Sequence, residues 1–165
     1  MSYKTIISSD ILKNNIDNKD FIIFDCRCDV KDSAYGIQAY TEGHIRNSIF
    51  VDIDSDLASE KTGSSGRHPL PDADMLSEKL SQWGLNSSKQ AVVYDDAGGA
   101  FAGRMWWILK WLGHTNVAVL DGALGGWMAS GGKLTQDNTI FERSVFTPNT
   151  HDNMHVSIND VEDAQ

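Results

Sequence analysis

Short apolar runs recur along this chain between polar and turn-forming stretches, at residues 5–7, 21–25, 48–51, 91–94 and 117–120. They are nearly continuous in apolar side chains rather than alternating. A strand with one wet face alternates, whereas a strand covered on both faces has no polar side to show. The pattern therefore predicts an α/β domain with about five mostly parallel strands and helices on both faces of the sheet. The run ending at Tyr94 is continuously apolar, which predicts a central position for it.

Helical spacing fills the intervals. Ser9 or Asp10 is placed to cap a helix reaching about Asn15, and residues 33–41 read as a second helix. Residues 72–83 are the clearest case. Leu76, Leu80 and Trp83 share one face, Pro71 and Asp72 mark the start, and Gly84 suits the left-handed residue beyond the end. Residues 103–112 differ, because Met105, Ile108, Leu109 and Leu112 form one face while Trp107 and Trp111 lie nearly opposite. A helix apolar all round is covered all round. The sheet covers one side, so the other is expected to meet either the domain's own loops or another domain. Asp121-Gly122 follows the fifth apolar run and suits the cap of a further helix or a tight turn.

Past residue 132 the pattern fades. Residues 133–153 are polar, show no clear core element and read as a linker or a strap across the surface. Ser157 is positioned to cap a new helix with Val161 on its inner face, and the sequence ends at Gln165 before that helix buries anything. The expected division is one domain over residues 1–132, then a strap and the start of a second domain over 133–165.

Composition sets the class. With 165 residues, 41% hydrophobic and 22% charged, the chain suits one ordinary globular domain with a proper core. No stretch approaches the roughly 18 apolar residues that span a bilayer. The start, Met1-Ser2-Tyr3-Lys4-Thr5, lacks the basic-then-apolar order of a secretory leader. The expectation is a cytoplasmic protein without a membrane partner. A net charge of −9 with no cluster of Lys and Arg argues against nucleic acid as a partner. An anionic substrate would need a local basic pocket, which another domain can supply.

Cys26 and Cys28 are the only cysteines, with one residue between them. That spacing is poor for a disulfide, and two thiols are too few for a structural zinc site, so neither metal nor cofactor is expected. They read as strand-end thiols in a reducing compartment, or as one pocket-lining or sulfur-carrying thiol beside a bland one.

Taken in combination, several motifs resemble a known family. Phe24-Asp25-Cys26-Arg27 followed by Gly43-His44-Ile45 resembles the first half of a rhodanese domain. Ala91-Val92-Val93-Tyr94-Asp95-Asp96, a glycine-rich loop, Arg104-Met105-Trp106-Trp107, Leu112-Gly113-His114, then Val119-Leu120-Asp121-Gly122 with Trp127 resembles the second half. Phe50-Val51-Asp52-Ile53-Asp54 with His68-Pro69-Leu70-Pro71 is similar to the N-terminal domain of two-domain thiosulfate and mercaptopyruvate sulfurtransferases. The match runs from about Ile6 to Trp127. Gly43 is expected to end a helix, and Asp25 with Arg27 to form an ion pair at a strand's carboxyl end.

The resemblance implies a two-step reaction. Sulfur passes from a small-molecule donor to a cysteine after the fourth strand, then to a thiophilic acceptor such as cyanide or a thiol. Backbone N–H groups of the following loop stabilise the thiolate and its persulfide. Here the matching position is Asp95, which cannot carry sulfur. Asp96 adds a second negative charge, and the 95–102 loop is longer than an active one. The implied role is the inactive N-terminal half of a sulfurtransferase whose cysteine lies on a missing C-terminal rhodanese domain. In mercaptopyruvate-type relatives the N-terminal half gives an acid and a histidine to an interdomain pocket, and the matching residues are Asp54 and His68. Cys28 falls at a pocket-wall position. A stand-alone binding module that lost its cysteine is the alternative. A related phosphatase is excluded, since it also needs a cysteine in that loop.

Overall fold

The sheet is built from strands β1 (Ile6–Ile7), β2 (Phe21–Asp25), β4 (Ser48–Phe50), β5 (Gln90–Tyr94) and β6 (Val117–Leu120), with a separate pair formed by β3 (His44–Ile45) and β7 (Leu134–Thr135). The structure is a computed structural model that describes residues 2–156 and 158–164. The five-stranded sheet has the order β1-β6-β5-β2-β4, with every neighbouring pair parallel. β5 is central, as its unbroken apolar run predicts, and its register against β2 runs from Phe21↔Gln90 to Asp25↔Tyr94.

Side chains leave this sheet alternately, and both faces are covered. Ile22, Phe24, Ala91 and Val93 pack with Leu76 and Leu80 of α3 (Ala73–Gln82) and with Met105, Ile108 and Leu109 of α4 (Ala102–Trp111). Ile23, Val92 and Tyr94 pack with Leu12 of α1 (Ser9–Asn14) and with Leu124 and Trp127 of α5 (Ala123–Ala129). α2 (Tyr35–Glu42) lies against β3 and β4. This is the doubly covered parallel sheet expected from the non-alternating runs.

Some details differ from the sequence reading. The cap of α1 is Ser8, one residue before the expected Ser9 or Asp10, and Asp10 instead pairs with Lys13 in the first turn. α5 begins directly after left-handed Gly122, so the turn and the helix expected as alternatives both occur. Gly125 and Gly126 dilute its helical signal. The antiparallel pair β3–β7 went unseen because two-residue strands leave no period to read.

Residues 133–153 do contain a core element, which corrects the reading of that segment. Phe146 is buried, and its N–H donates to Ser81 Oγ at 2.9 Å. Farther along, the N–H groups of Asn149 and His151 donate to the carbonyls of Leu112 and Trp111, each at 2.9 Å. The segment is thus bonded to the ends of α3 and α4. Gly84 and Gly113 end those helices with φ of +79° and +85°. A Cβ there would come within 2.9 Å of Glu142 O and 2.7 Å of Asn149 O, so glycine serves both the turn and the strap's close approach. The strap answers the question of the all-apolar helix for Trp111, which is buried, stacks on Trp107 and meets His155 edge-on. Trp107 stays half-buried. A last helix, α6 (Ile158–Asp163), follows with Val161 exposed, and the expected cap Ser157 lies outside the described residues.

His114 is buried under this strap. Its Nε2 lies 3.2 Å from Asn116 O, its Nδ1 has no partner, and its ring packs 5.9 Å from Phe146. Burial lowers its pKa below the ordinary 6.5. The unfolded chain then binds the proton more readily, so this stability is complete above about pH 6.5 and is lost as pH falls toward the lower folded-state value. Between about pH 7 and pH 5 the urea midpoint should fall less in His114→Gln than in the wild type. Parallel midpoint curves would contradict this.

Candidate functional site

Parallel sheets bind ligands outside the carboxyl ends of strands where the strand order reverses. Here β2 leads outward to β4 while β5 leads the other way to β6, so the reversal falls between β2 and β5. Asp25 and Arg27 lie there at the end of β2, and Asp95 and Asp96 at the end of β5. Asp54 and His68 lie in the long loop after β4.

Asp95 is buried, and its carboxylate accepts four backbone N–H groups of the loop that follows it. Oδ1 takes Ala97 at 3.0 Å and Gly99 at 2.8 Å, while Oδ2 takes Phe101 at 2.9 Å and Ala102 at 3.0 Å. The last two donors belong to the start of α4, where N–H groups lack helical partners. The loop wraps one anion, and that anion is its own side chain. The Asp95 carbonyl also accepts the N–H of Leu124 at 2.8 Å, which ties α5 to the same point. Asp96, by contrast, is exposed and accepts a short hydrogen bond from the Tyr35 hydroxyl.

Beside it, Asp25 and Arg27 form the expected ion pair. Arg27 Nε lies 3.0 Å from both Asp25 oxygens, Nη2 lies 2.6 Å from Oδ2, and Nη2 also reaches Gly43 O at 2.8 Å. Gly43 ends α2 as anticipated. Tyr94 donates its hydroxyl to Asp25 Oδ2 at 2.6 Å. Burial, then the Asp25 charge, pushes the Tyr94 pKa well up, so the phenol stays a donor. Burial alone would lower Arg27, but the bonds and charge of Asp25 raise it overall. The network is closed on itself and holds α2 to the sheet.

The structure brings Asp54 and His68 together. His68 Nε2 lies 3.3 Å from Asp54 Oδ1, and Lys61 Nζ lies at 3.3 Å from the same oxygen. The Asp54 side chain is half exposed and that of His68 less so, at 53% and 23%, so the pair faces open surface. Cys28 is in the same neighbourhood. Burial raises its pKa, as do Asp52, Asp54 and Asp29, and Arg67 only partly offsets them. Cys26 sits in the core, where burial, followed by Asp25 and Asp95, raises its pKa strongly. Neither thiol is activated as a nucleophile. Among the described residues, no three His, Cys, Asp or Glu converge to hold a metal ion.

Sequence reasoning missed two supports of this edge. Asp52 Oδ1 accepts the N–H groups of Asp54 and Ser55 at 2.9 and 2.8 Å, shaping the turn that presents Asp54. The signal was there, since Asp commonly bonds its own backbone two residues on. Arg104 reaches across to the carbonyls of Leu57, His68 and Pro69, and only its place in a motif hinted at it.

Comparison with known proteins gives the family and the fold. The rhodanese-like domain family matches residues 8–130, and the chain belongs to that family. It is 42% identical over 148 residues to a probable 3-mercaptopyruvate sulfurtransferase of Pseudomonas aeruginosa, covering 88% of this chain and 52% of that protein. Over 129 residues it is 32% identical to the 3-mercaptopyruvate sulfurtransferase of Escherichia coli, covering 77% and 45%. The crystal structure of an Escherichia coli 3-mercaptopyruvate sulfotransferase superposes with a TM-score of 0.85 at 26% identity, covering 98% of this chain and 62% of that one. The chain spans about half the length of the curated relatives it matches. Among the described residues, no helix is long and apolar enough to cross a membrane.

The wrapped carboxylate yields a stability test. In Asp95→Asn the amide keeps one accepting oxygen and turns an NH2 toward two of the four donors. Leaving buried donors unpaired beside a lost charge is expected to cost about 2–4 kcal/mol in urea unfolding. A loss under about 0.5 kcal/mol would mean that the loop does not depend on the carboxylate.

Proposed function

We propose that this chain is the non-catalytic N-terminal domain of a cytoplasmic two-domain sulfurtransferase. The sulfur donor is 3-mercaptopyruvate or thiosulfate, and the acceptor is a thiol or cyanide. The thiolate of a cysteine on the second rhodanese domain attacks the donor's sulfur to form a persulfide, releasing sulfite from thiosulfate or the enolate of pyruvate, which takes up a proton, from 3-mercaptopyruvate. The acceptor then takes the outer sulfur and frees the thiolate. The observation that carries this reading is Asp95 within its four N–H donors. A loop of that kind suits a sulfur-bearing anion, and here a carboxylate that cannot carry sulfur stands in its place. The names and double length of the relatives support the two-domain reading.

In this reading Asp54 and His68 serve the pocket shared with the second domain. At 3.3 Å the carboxylate lies within ion-pair reach of the imidazole, and the pair serves as proton-transfer machinery once the second domain closes over it. Cys28 forms part of the wall beside them. The local positive charge for an anionic donor comes from the second domain, since this chain is strongly acidic overall.

The test has two arms. The purified chain is incubated with thiosulfate and cyanide, and separately with mercaptopyruvate and a thiol, then weighed by mass spectrometry. No turnover and no added sulfur atom are expected. A persulfide on Cys28 with product at enzymatic rates would overturn the inactive-domain reading. In the full-length enzyme, Asp54→Ala or His68→Ala should lower kcat for mercaptopyruvate about 100-fold or more, the usual size of general acid–base assistance. Unchanged kinetics in both would remove the pair from the site.

A further inference from the structure

The loop that carries Asp54 and His68 runs from β4 to α3 through turns and bends, without helix or strand. Two bonds from Ser59 join its limbs to each other, from N to Pro69 O at 3.3 Å and from Oγ to Leu70 O at 2.7 Å. They do not tie the loop to the core. Arg104, in the first turn of α4, does. Its Nε and Nη2 donate to Leu57 O at 3.1 and 2.7 Å, and Nη2 also reaches His68 O at 3.1 Å and Pro69 O at 3.3 Å. Leu57 belongs to the limb that carries Asp54, and the second carbonyl is that of His68 itself.

Arg104 is half-buried, and burial lowers its pKa. Among the described residues, no carboxylate lies within ion-pair distance of it. A cation kept part-buried against carbonyls alone is held there for geometry rather than for charge pairing. A guanidinium presents several N–H groups in a rigid plane, which an ammonium on a flexible stem does not.

We infer that Arg104 is a positioning residue for the Asp54–His68 pair, fixing both limbs of their loop against α4 so that imidazole and carboxylate stay in register. The catalytic consequence rests on the proposed function, but the positioning does not.

The test uses this chain with 15N-labelled histidine. In the Arg104 background, Asp54→Asn should move the ring-nitrogen signals of His68. That response should fall by about half in Arg104→Lys and vanish in Arg104→Met, as coupling through one network requires. His44 and His114, buried elsewhere, report that the fold is intact, and Arg104→Lys decides the matter if Arg104→Met does not fold. Trypsin cleavage after Lys61 and Arg67, both exposed in the loop, should rise several-fold in the Arg104 variants. An undiminished response to Asp54→Asn in the Arg104 variants, or no response in the wild type, would overturn the inference. Activity of the full-length enzyme separates the two readings. If His68→Ala leaves turnover unchanged, the catalytic role of the pair fails while the positioning result stands. If His68→Ala slows turnover and Arg104→Lys does not, Arg104 is no positioning residue for catalysis.

Discussion

A carboxylate withdrawn from water must recover in hydrogen bonds what it loses in hydration, and Asp95 recovers it from four amides of the next seven residues. That exchange shapes the edge of the sheet on which the candidate site stands. It draws the 95–102 loop into a closed turn and starts α4 at Ala102. Through the Asp95 carbonyl it also fastens α5, which covers the opposite face of the sheet. Because α4 carries Arg104, the loop with Asp54 and His68 is anchored to the same structure. One internal anion thus organises both the loop at the end of β5 and the neighbouring place where proton chemistry is proposed.

The second buried acid, Asp25, shows a different solution one strand away. Its charge is met by a guanidinium and a phenol, with Tyr94 supplied by the residue just before Asp95. Side by side, Asp25 takes mostly side-chain donors, with the Arg27 N–H beside them at 3.0 Å, while Asp95 takes main-chain donors alone. Main-chain donors converge only where a loop and a helix start meet, so the 95–102 loop is suited to hold an anion. In this chain the covalently attached carboxylate has taken that place.

Much of this was legible in the sequence because parallel strands and their covering helices leave strong local patterns. The runs at 21–25, 91–94 and 117–120 fell within a residue of the observed strands, and Asp72 and Gly84 bracketed α3 as capping rules require. Asp54, His68 and Asp95 emerged through a family resemblance rather than from spacing, since a pair fourteen residues apart in a loop has no period. What escaped depends on long-range contact. Phe146 looks like one apolar residue in a polar stretch until Ser81 and His114 surround it. Arg104 looks like a surface arginine on a helix until the loop folds over it.

The central claim is that the Asp95 carboxylate itself holds its loop closed. Amide hydrogen exchange at Ala97, Gly99, Phe101 and Ala102 measures this directly. These four amides should be protected in the wild type and should speed up together in Asp95→Asn, while amides in the core strands keep their rates. Four amides that exchange in the wild type as fast as those of the exposed 60–66 loop would contradict the account.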